Sequence, residues 1–411
     1  MSDTTQAKRK YDLYSHESKA NIYPIFRQMR VEDPWLTQIG FDGETLICFP
    51  SRYEDIEAIL KDDRHFVRDP SNMPGSEPTQ FNELDQLLSN HMLNKDWSDH
   101  RRLRDLVSKA FTPKLVREMR PRIQALADEL IATLRDRGEM DLIADYAFPL
   151  PTTVIAEILG IPTKDRDKFK EWSAALITPT MDPEKQVHFQ KLLEEFVEYL
   201  KNLFVIRRAE PQDDLLCALL NAEQDGDRLS EKELFSMMVL LIVAGHETTV
   251  NLIGNAMLAL FHYPEQMAEL KTNPTLMPQA VEEFLRYDGP VERAFVRFAT
   301  EDVVVNGHEI KKGTLVIPLI GSANRDPAVF HNPDRLDFHR ENNPHFAFGK
   351  GVHYCMGAPL ARLEGEIALN NLLQSLPDLE MAIPADQLRY RMLPTFRSLE
   401  SLPVCWKSDN S

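Results

Sequence analysis

The sequence predicts a mainly α-helical protein with a small β region (α+β), folded as one domain over residues 1–411. Three observations carry this expectation. Apolar residues recur at three- and four-residue steps over ten segments, strand-like runs are few, and no β–α alternation, repeat or flexible linker divides the chain. Length alone would allow two or three domains, so the missing linker decides.

Helical periods run over 51–61, 99–110, 113–136, 151–160, 165–178 and 185–208. A long one spans 231–262, and others follow at 265–271, 277–287 and 358–375. Thr45–Phe49, Phe295–Phe298, Val303–Val305 and Thr314–Ile317 read as strands, with His308–Ile310 before a Lys-Gly turn. Residues 68–89, with Pro70, Pro74 and Pro78, form an irregular connection of a length that compact folds keep for function.

Hydrophobic residues make up 43% of the chain, enough for a large core, and the formal charge of −17 speaks against nucleic acid as a partner. One segment runs the other way. Residues 101–122 carry eight Lys or Arg, among them Arg101, Arg102, Lys109 and Lys114, against Asp105 and Glu118 only. This is either a solvated helix face or a docking patch for an acidic protein.

Cysteines stand at 48, 217, 355 and 405 without a CxxC pair, which excludes a zinc ribbon and a secreted disulfide framework. No apolar stretch follows the first residues, so a cytoplasmic protein without a membrane anchor is expected. The most apolar run, around Leu240–Gly245, is about a dozen residues, short for a bilayer span and suited to a buried helix.

The long helix begins at a capping box, Ser230-Glu-Lys-Glu233. It is apolar nearly all round, which makes Glu247 in its middle an anomaly, since a buried carboxylate is costly unless paired. Ala244 and Gly245 beside Thr248 leave room for a small ligand. His246-Glu247 is no zinc-protease motif, because position 250 is Val. From this segment alone, a helix with satisfied polar residues is an equal reading.

The stretch His345-Phe-Ala-Phe-Gly-Lys-Gly-Val-His-Tyr-Cys355-Met-Gly357 fails both the dinucleotide fingerprint and the P-loop pattern. What remains is Phe348-x-x-Gly351-x-His353-x-Cys355-x-Gly357, followed by a helix with Pro359 in its first turn. Cys355 at a helix start, among glycines that permit close backbone approach, suggests a thiolate facing something flat.

This loop resembles the haem-binding signature of cytochrome P450. Three further motifs agree in order and spacing: Ala244-Gly-His-Glu-Thr-Thr249, Glu283-Phe-Leu-Arg286, and Asn332-Pro-Asp-Arg335-Leu-Asp-Phe338. The resemblance implies a P450 fold, with a long central helix over a haem b (iron protoporphyrin IX) held by Cys355, whose thiolate donates to the iron. It implies that Glu283, Arg286 and Arg335 form a structural network, that Thr248 orients bound oxygen and that Glu247 relays protons. His100, Arg104, Arg297 and His353 match positions that hold the haem propionates, and Phe348 packs beside the ligand loop. Departures are small: Tyr354 and Met356 flank the cysteine, and Trp97-Ser98 replaces a common Pro-Pro.

The implied function is a monooxygenase that hydroxylates a medium-to-large lipophilic substrate, of polyketide or lactone, steroid or fatty-acid type. The fuller match, at 322–327, 357–365 and 398–404, is similar to bacterial polyketide hydroxylases. Electrons would come from a ferredoxin or flavodoxin with an NAD(P)H-dependent reductase, docking near Arg101, Arg102, Lys109, Lys114 and Lys350; a monomer is expected. Implied pocket residues are Met73, Phe81, Leu87, Leu88, Leu176, Ile177, Met181, Val239, Leu240, Val243, Phe295 and Phe396, with Glu292 and Arg293 as charged interruptions. The competing readings are a peroxide-driven peroxygenase, against which the Glu247-Thr248 pair speaks, and a non-catalytic haem protein.

Overall fold

A computed structural model describes residues 10–40, 42–75, 83–177, 183–224, 226–376 and 378–407. All ten periodic segments are helices: Tyr53–Lys61, Trp97–Ala110, Pro113–Leu134, Pro149–Ile158, Arg166–Ile177, Pro183–Ala209, Glu231–His262, Pro264–Thr272, Met277–Asp288 and Ala358–Ser375. Their starts follow local chemistry. Thr112 accepts a hydrogen bond from the Leu115 amide ahead of Pro113, and at Ser230 both halves of the capping box form.

The sequence reading passes over shorter helices such as Ile22–Glu32, Glu83–Ser89 and Leu215–Asn221. Short helices gain most of their stability from tertiary packing.

The central helix, Glu231–His262, packs against Glu83–Ser89, Pro149–Ile158, Met277–Asp288 and Ala358–Ser375. It has the expected bounds, and among the described residues it is the one helix long and apolar enough to cross a membrane, its apolar stretch extending beyond the dozen residues expected. Neighbours on several sides cover it, so most of it is buried.

The β part centres on a five-stranded sheet in the order Trp35–Ile39, Leu46–Pro50, Leu315–Val316, Arg297–Ala299, Phe66–Val67. Only the pair of Leu46–Pro50 with Leu315–Val316 is parallel. The expected strand 295–298 is shifted to Arg297–Ala299, with Arg297 opposite Val316. Val303–Val305 and His308–Ile310, expected as separate strands, pair with each other as an antiparallel hairpin. One large core surrounds the central helix, and three smaller cores lie around the N-terminal and sheet elements.

Candidate active site

The central helix and the helix that follows Cys355 bound a cavity of about 650 Å³. Ala244, Gly245, Thr248 and Thr249 enter its wall from the first; Phe348, His353, Cys355 and Gly357 enter from the cysteine loop. The Cys355 amide donates to the Phe348 carbonyl at 3.0 Å, which closes the loop just before the helix Ala358–Ser375.

Helix-end amides do not by themselves make the sulfur a thiolate. Burial pushes the Cys355 thiol up, against the amides of Gly357 and Ala358 and the charges of Arg104 and Arg362. A cation bound at the sulfur would reverse that balance. Arg362 stands 4.4 Å over the Phe348 ring and is held by a two-pronged bond to Glu282, at 2.6 and 2.9 Å. Against burial, the bonds from Arg362 and His345 hold Glu282 down to about 2.

The expected groups His100, Arg104, Arg297 and His353 all line the cavity, joined by Arg68 and His91. Burial and then neighbouring Arg297 lower Arg68 to about 9; burial lowers Arg297 to about 10. Burial, followed by Arg68, lowers His91 to about 4 and His353 to about 2. The rings of His100 and His353 lie 4.2 Å apart, and Arg104 donates to the Tyr354 carbonyl at 2.7 Å. Among the described residues, Arg297 Nε and His91 Nδ1 are buried without a hydrogen-bond partner.

These basic groups penalise one another's charge, and only Asp96 stands among the coulombic partners of both Arg68 and Arg297 as an acid. Such a wall fits a dianion, as the two propionates of a haem would supply beside a cysteine ligand. The residues present therefore fit the implied group.

Other expected residues stand in surroundings of their own. Gly351 does not line the cavity: its φ is +74°, and a Cβ there would come 2.5 Å from the Leu60 carbonyl, so close packing on another helix explains it. Gly245 lines the wall but also faces Ile155, where a Cβ would meet the side chain at 3.0 Å. Glu247 is buried outside the cavity lining, bonded to Arg391 at 2.9 Å and accepting from Asn251 at 3.1 Å.

The Glu283–Arg286 pair is two-pronged and buried, at 2.7 and 2.8 Å. Its second arginine is Arg340, 3.2 Å from Glu283, and not Arg335. Arg335 is exposed and contributes only its carbonyl, to Arg286 at 3.0 Å.

Of the implied pocket residues, Leu88, Leu176, Val239, Leu240, Val243, Phe295 and Phe396 line the cavity, whereas Met73 and Leu87 do not. Leu87 is in the core, and its carbonyl accepts from Ser236. Phe81, Met181 and the side chain of Ile177 lie outside the described residues. Glu292 and Arg293 turn away: Glu292 accepts from Lys19 and Arg293, each at 3.0 Å.

Sequence reasoning missed Arg68, His91, Arg340, Arg391 and Glu364. Glu364, on the helix after the cysteine, is fully buried, and among the described residues neither oxygen meets hydrogen-bond geometry; burial pushes it up to about 8, offset only in part by the nearby Thr249 hydroxyl. Charge in an apolar helical stretch was its available signal.

Residues 40–381 match the family model described as Cytochrome P450. The chain is 46% identical to Cytochrome P450 CYP107DY1 of Priestia megaterium, over 96% of this chain and 98% of that one. It is 44% identical to the polyketide biosynthesis cytochrome P450 PksS of Bacillus subtilis, over 97% and 98%. The solved structure of PksS superposes with a TM-score of 0.90, covering 97% of this chain and all of the other, at 40% identity. That of P450BioI, in complex with an acyl carrier protein ligated to hexadec-9Z-enoic acid, gives 0.87 at 40% identity, over 95% and 99%. Kinship on this scale, end to end and with the cysteine loop and cationic wall in place, shows that the chain belongs to the cytochrome P450 family of haem-thiolate monooxygenases.

Proposed function

We propose that this monooxygenase binds haem b through Cys355 and hydroxylates a medium-to-large lipophilic substrate of polyketide or lactone, steroid or fatty-acid type. One observation carries the reading: the half-buried Cys355 and the basic cluster share a cavity whose wall from Leu88, Leu176, Val239, Leu240, Val243 and Phe396 is apolar. The polyketide role in the name of PksS and the acyl group in the P450BioI complex lie within the same substrate range.

Haem, when bound, supplies the activation of O2. The chain positions the reactants around it. His100, Arg104, Arg297 and His353, with Arg68 and His91, would hold the propionates, and Thr248 presents its hydroxyl to the cavity while donating to the Ala244 carbonyl at 3.0 Å. Glu247 would move protons from the surface, since its partner Arg391 at 2.9 Å is partly exposed and links the buried carboxylate to water.

Electrons would come from a ferredoxin or flavodoxin served by an NAD(P)H-dependent reductase. Within the basic segment Arg102 is committed to Asp227 and Glu233, and Lys109 donates to the Glu223 carbonyl. Arg101 and Lys114 are exposed, Lys114 with only a 3.6 Å pair to Glu118 on its own helix, and Lys350 pairs with Glu57 at 2.8 Å. We read residues 1–411 as one domain that acts as a monomer.

The carbon monoxide difference spectrum of the reduced protein tests the central reading. A thiolate-type band that disappears in Cys355→Ser is expected; a histidine-type band in the unaltered protein would refute it.

A further inference from the structure

Resting on the monooxygenase reading above, we infer that the cavity selects an uncharged substrate. A carboxylic acid enters protonated, or masked as an ester, lactone or thioester.

The charged groups of the described wall support this by their number and commitments. They are Arg68, Arg104, Arg297, Lys350 and the Cys355 sulfur. Lys350 is engaged by Glu57 at 2.8 Å, and the sulfur's charge belongs to the metal it would bind. Three arginines remain. Facing them are Asp96, with Asp62 and Asp63 acting on Arg297 and Asp105 on Arg104, and the two propionates that the haem would bring.

The cofactor and these internal acids therefore leave the cation set no charge to spare for a further anion. Asp96 is itself fixed by the amides of Arg68 and Asp69, at 2.8 and 2.9 Å, and by Asn72 at 2.9 Å. Arg104 also donates to the Tyr354 carbonyl. Arg68, where the basic cluster meets the substrate wall, stacks over the Phe295 ring at 5.2 Å. His91, His100 and His353 add hydrogen-bonding nitrogens to the same cluster, and Tyr354 is the remaining titratable group of the wall.

The apolar part of the lining offers an anion nothing, and the Asn94 amide beside it already donates to the Ser89 carbonyl. Leu88, Leu176, Val239, Leu240, Val243 and Phe396 carry no polar side-chain atom, and the Thr248 hydroxyl already has an acceptor in Ala244. A carboxylate transferred there loses its water without gaining a partner, so it takes up a proton instead.

Proton uptake gives the inference a quantitative signature. Above the acid's solution pKa, near that of glutamate at about 4.3, the apparent Kd of an acid should rise about tenfold per pH unit. The Kd of its ester should not change.

The test is titration of the haem-loaded protein with dodecanoic acid and with methyl dodecanoate, at about pH 6 and about pH 8. Binding is read from the spin-state shift, or from competition with imidazole where the shift is small. The expected result is an ester affinity that does not move and an acid affinity roughly a hundredfold weaker at the higher pH. Acid binding that is independent of pH, or tighter than that of the ester at the higher pH, overturns the inference. The carbon monoxide spectrum separates the two levels: a normal thiolate band with pH-independent acid binding refutes only the inference, while loss of the band refutes the reading beneath it.

Discussion

At Glu364 burial outweighs the single contact that opposes it, so this side chain is neutral over most of the physiological range. The folded state holds the proton more tightly than the unfolded chain, whose glutamate titrates near 4.3. Its contribution is therefore fully present below that value and is lost as pH rises through about 8. Glu364→Gln, which keeps the shape and cannot ionise, should raise Tm more at pH 8 than at pH 5. Equal shifts at the two would show that the group is not titrating in the fold.

Arg362 places a positive charge over the ring of Phe348, beside the cysteine. That charge should favour the reduced iron, which carries one charge fewer. Arg362→Met is expected to lower the midpoint potential by up to about 59 mV, a tenfold change for one electron. An unmoved potential, with the thiolate spectrum intact, would show that the charge is screened. Thr248→Ala removes one hydroxyl from the cavity wall and should divert reducing equivalents to hydrogen peroxide; unchanged product per NAD(P)H consumed would dismiss the role.

Among elements, the junction of helix Met277–Asp288 with residues 332–343 separates two arginines that look equivalent in sequence. Arg340 reaches the buried Glu283 carboxylate, while Arg335 leaves its side chain in solvent. Arg340→Ala removes one of two cations from a buried acid and should cost roughly 3 kcal/mol. Arg335→Ala should stay within about 0.5 kcal/mol. Urea unfolding of the two variants decides between them, and equal losses would return Arg335 to the network. The motif was legible in the sequence because the Glu–Arg spacing is local. The second arginine was not, because its choice depends on how a loop folds back over the helix.

The cysteine loop shows the same division. Its position before a helix follows from Pro359 and the flanking glycines, but Gly351 owes its place to the Leu60 carbonyl of a distant helix. Likewise, Glu247 was visible as an anomaly within an apolar helix. Its partner Arg391, 144 residues later, could not be read from helical periodicity.

For the whole molecule, the charge of −17 leaves the basic segment 101–122 as an exception, and folding divides that exception further. Arg102 and Lys109 are tied to acceptors at residues 223–233, so Arg101 and Lys114 are the better probes of partner docking. Arg101→Glu with Lys114→Glu should slow reduction by a ferredoxin or flavodoxin and flatten its dependence on salt. An unaltered rate and salt slope would place the docking surface elsewhere.

The sequence by itself determined the helix-dominated architecture, the capping of the central helix, the cysteine loop and the Glu283–Arg286 pair, because each depends on periodicity or on neighbours a few residues apart. The tertiary structure alone decided which basic groups join the cavity, which arginine completes the buried network and which apolar residues line the pocket rather than the core. Those choices require segments far apart in the chain to meet, and the burial that follows sets both their charge and their partners.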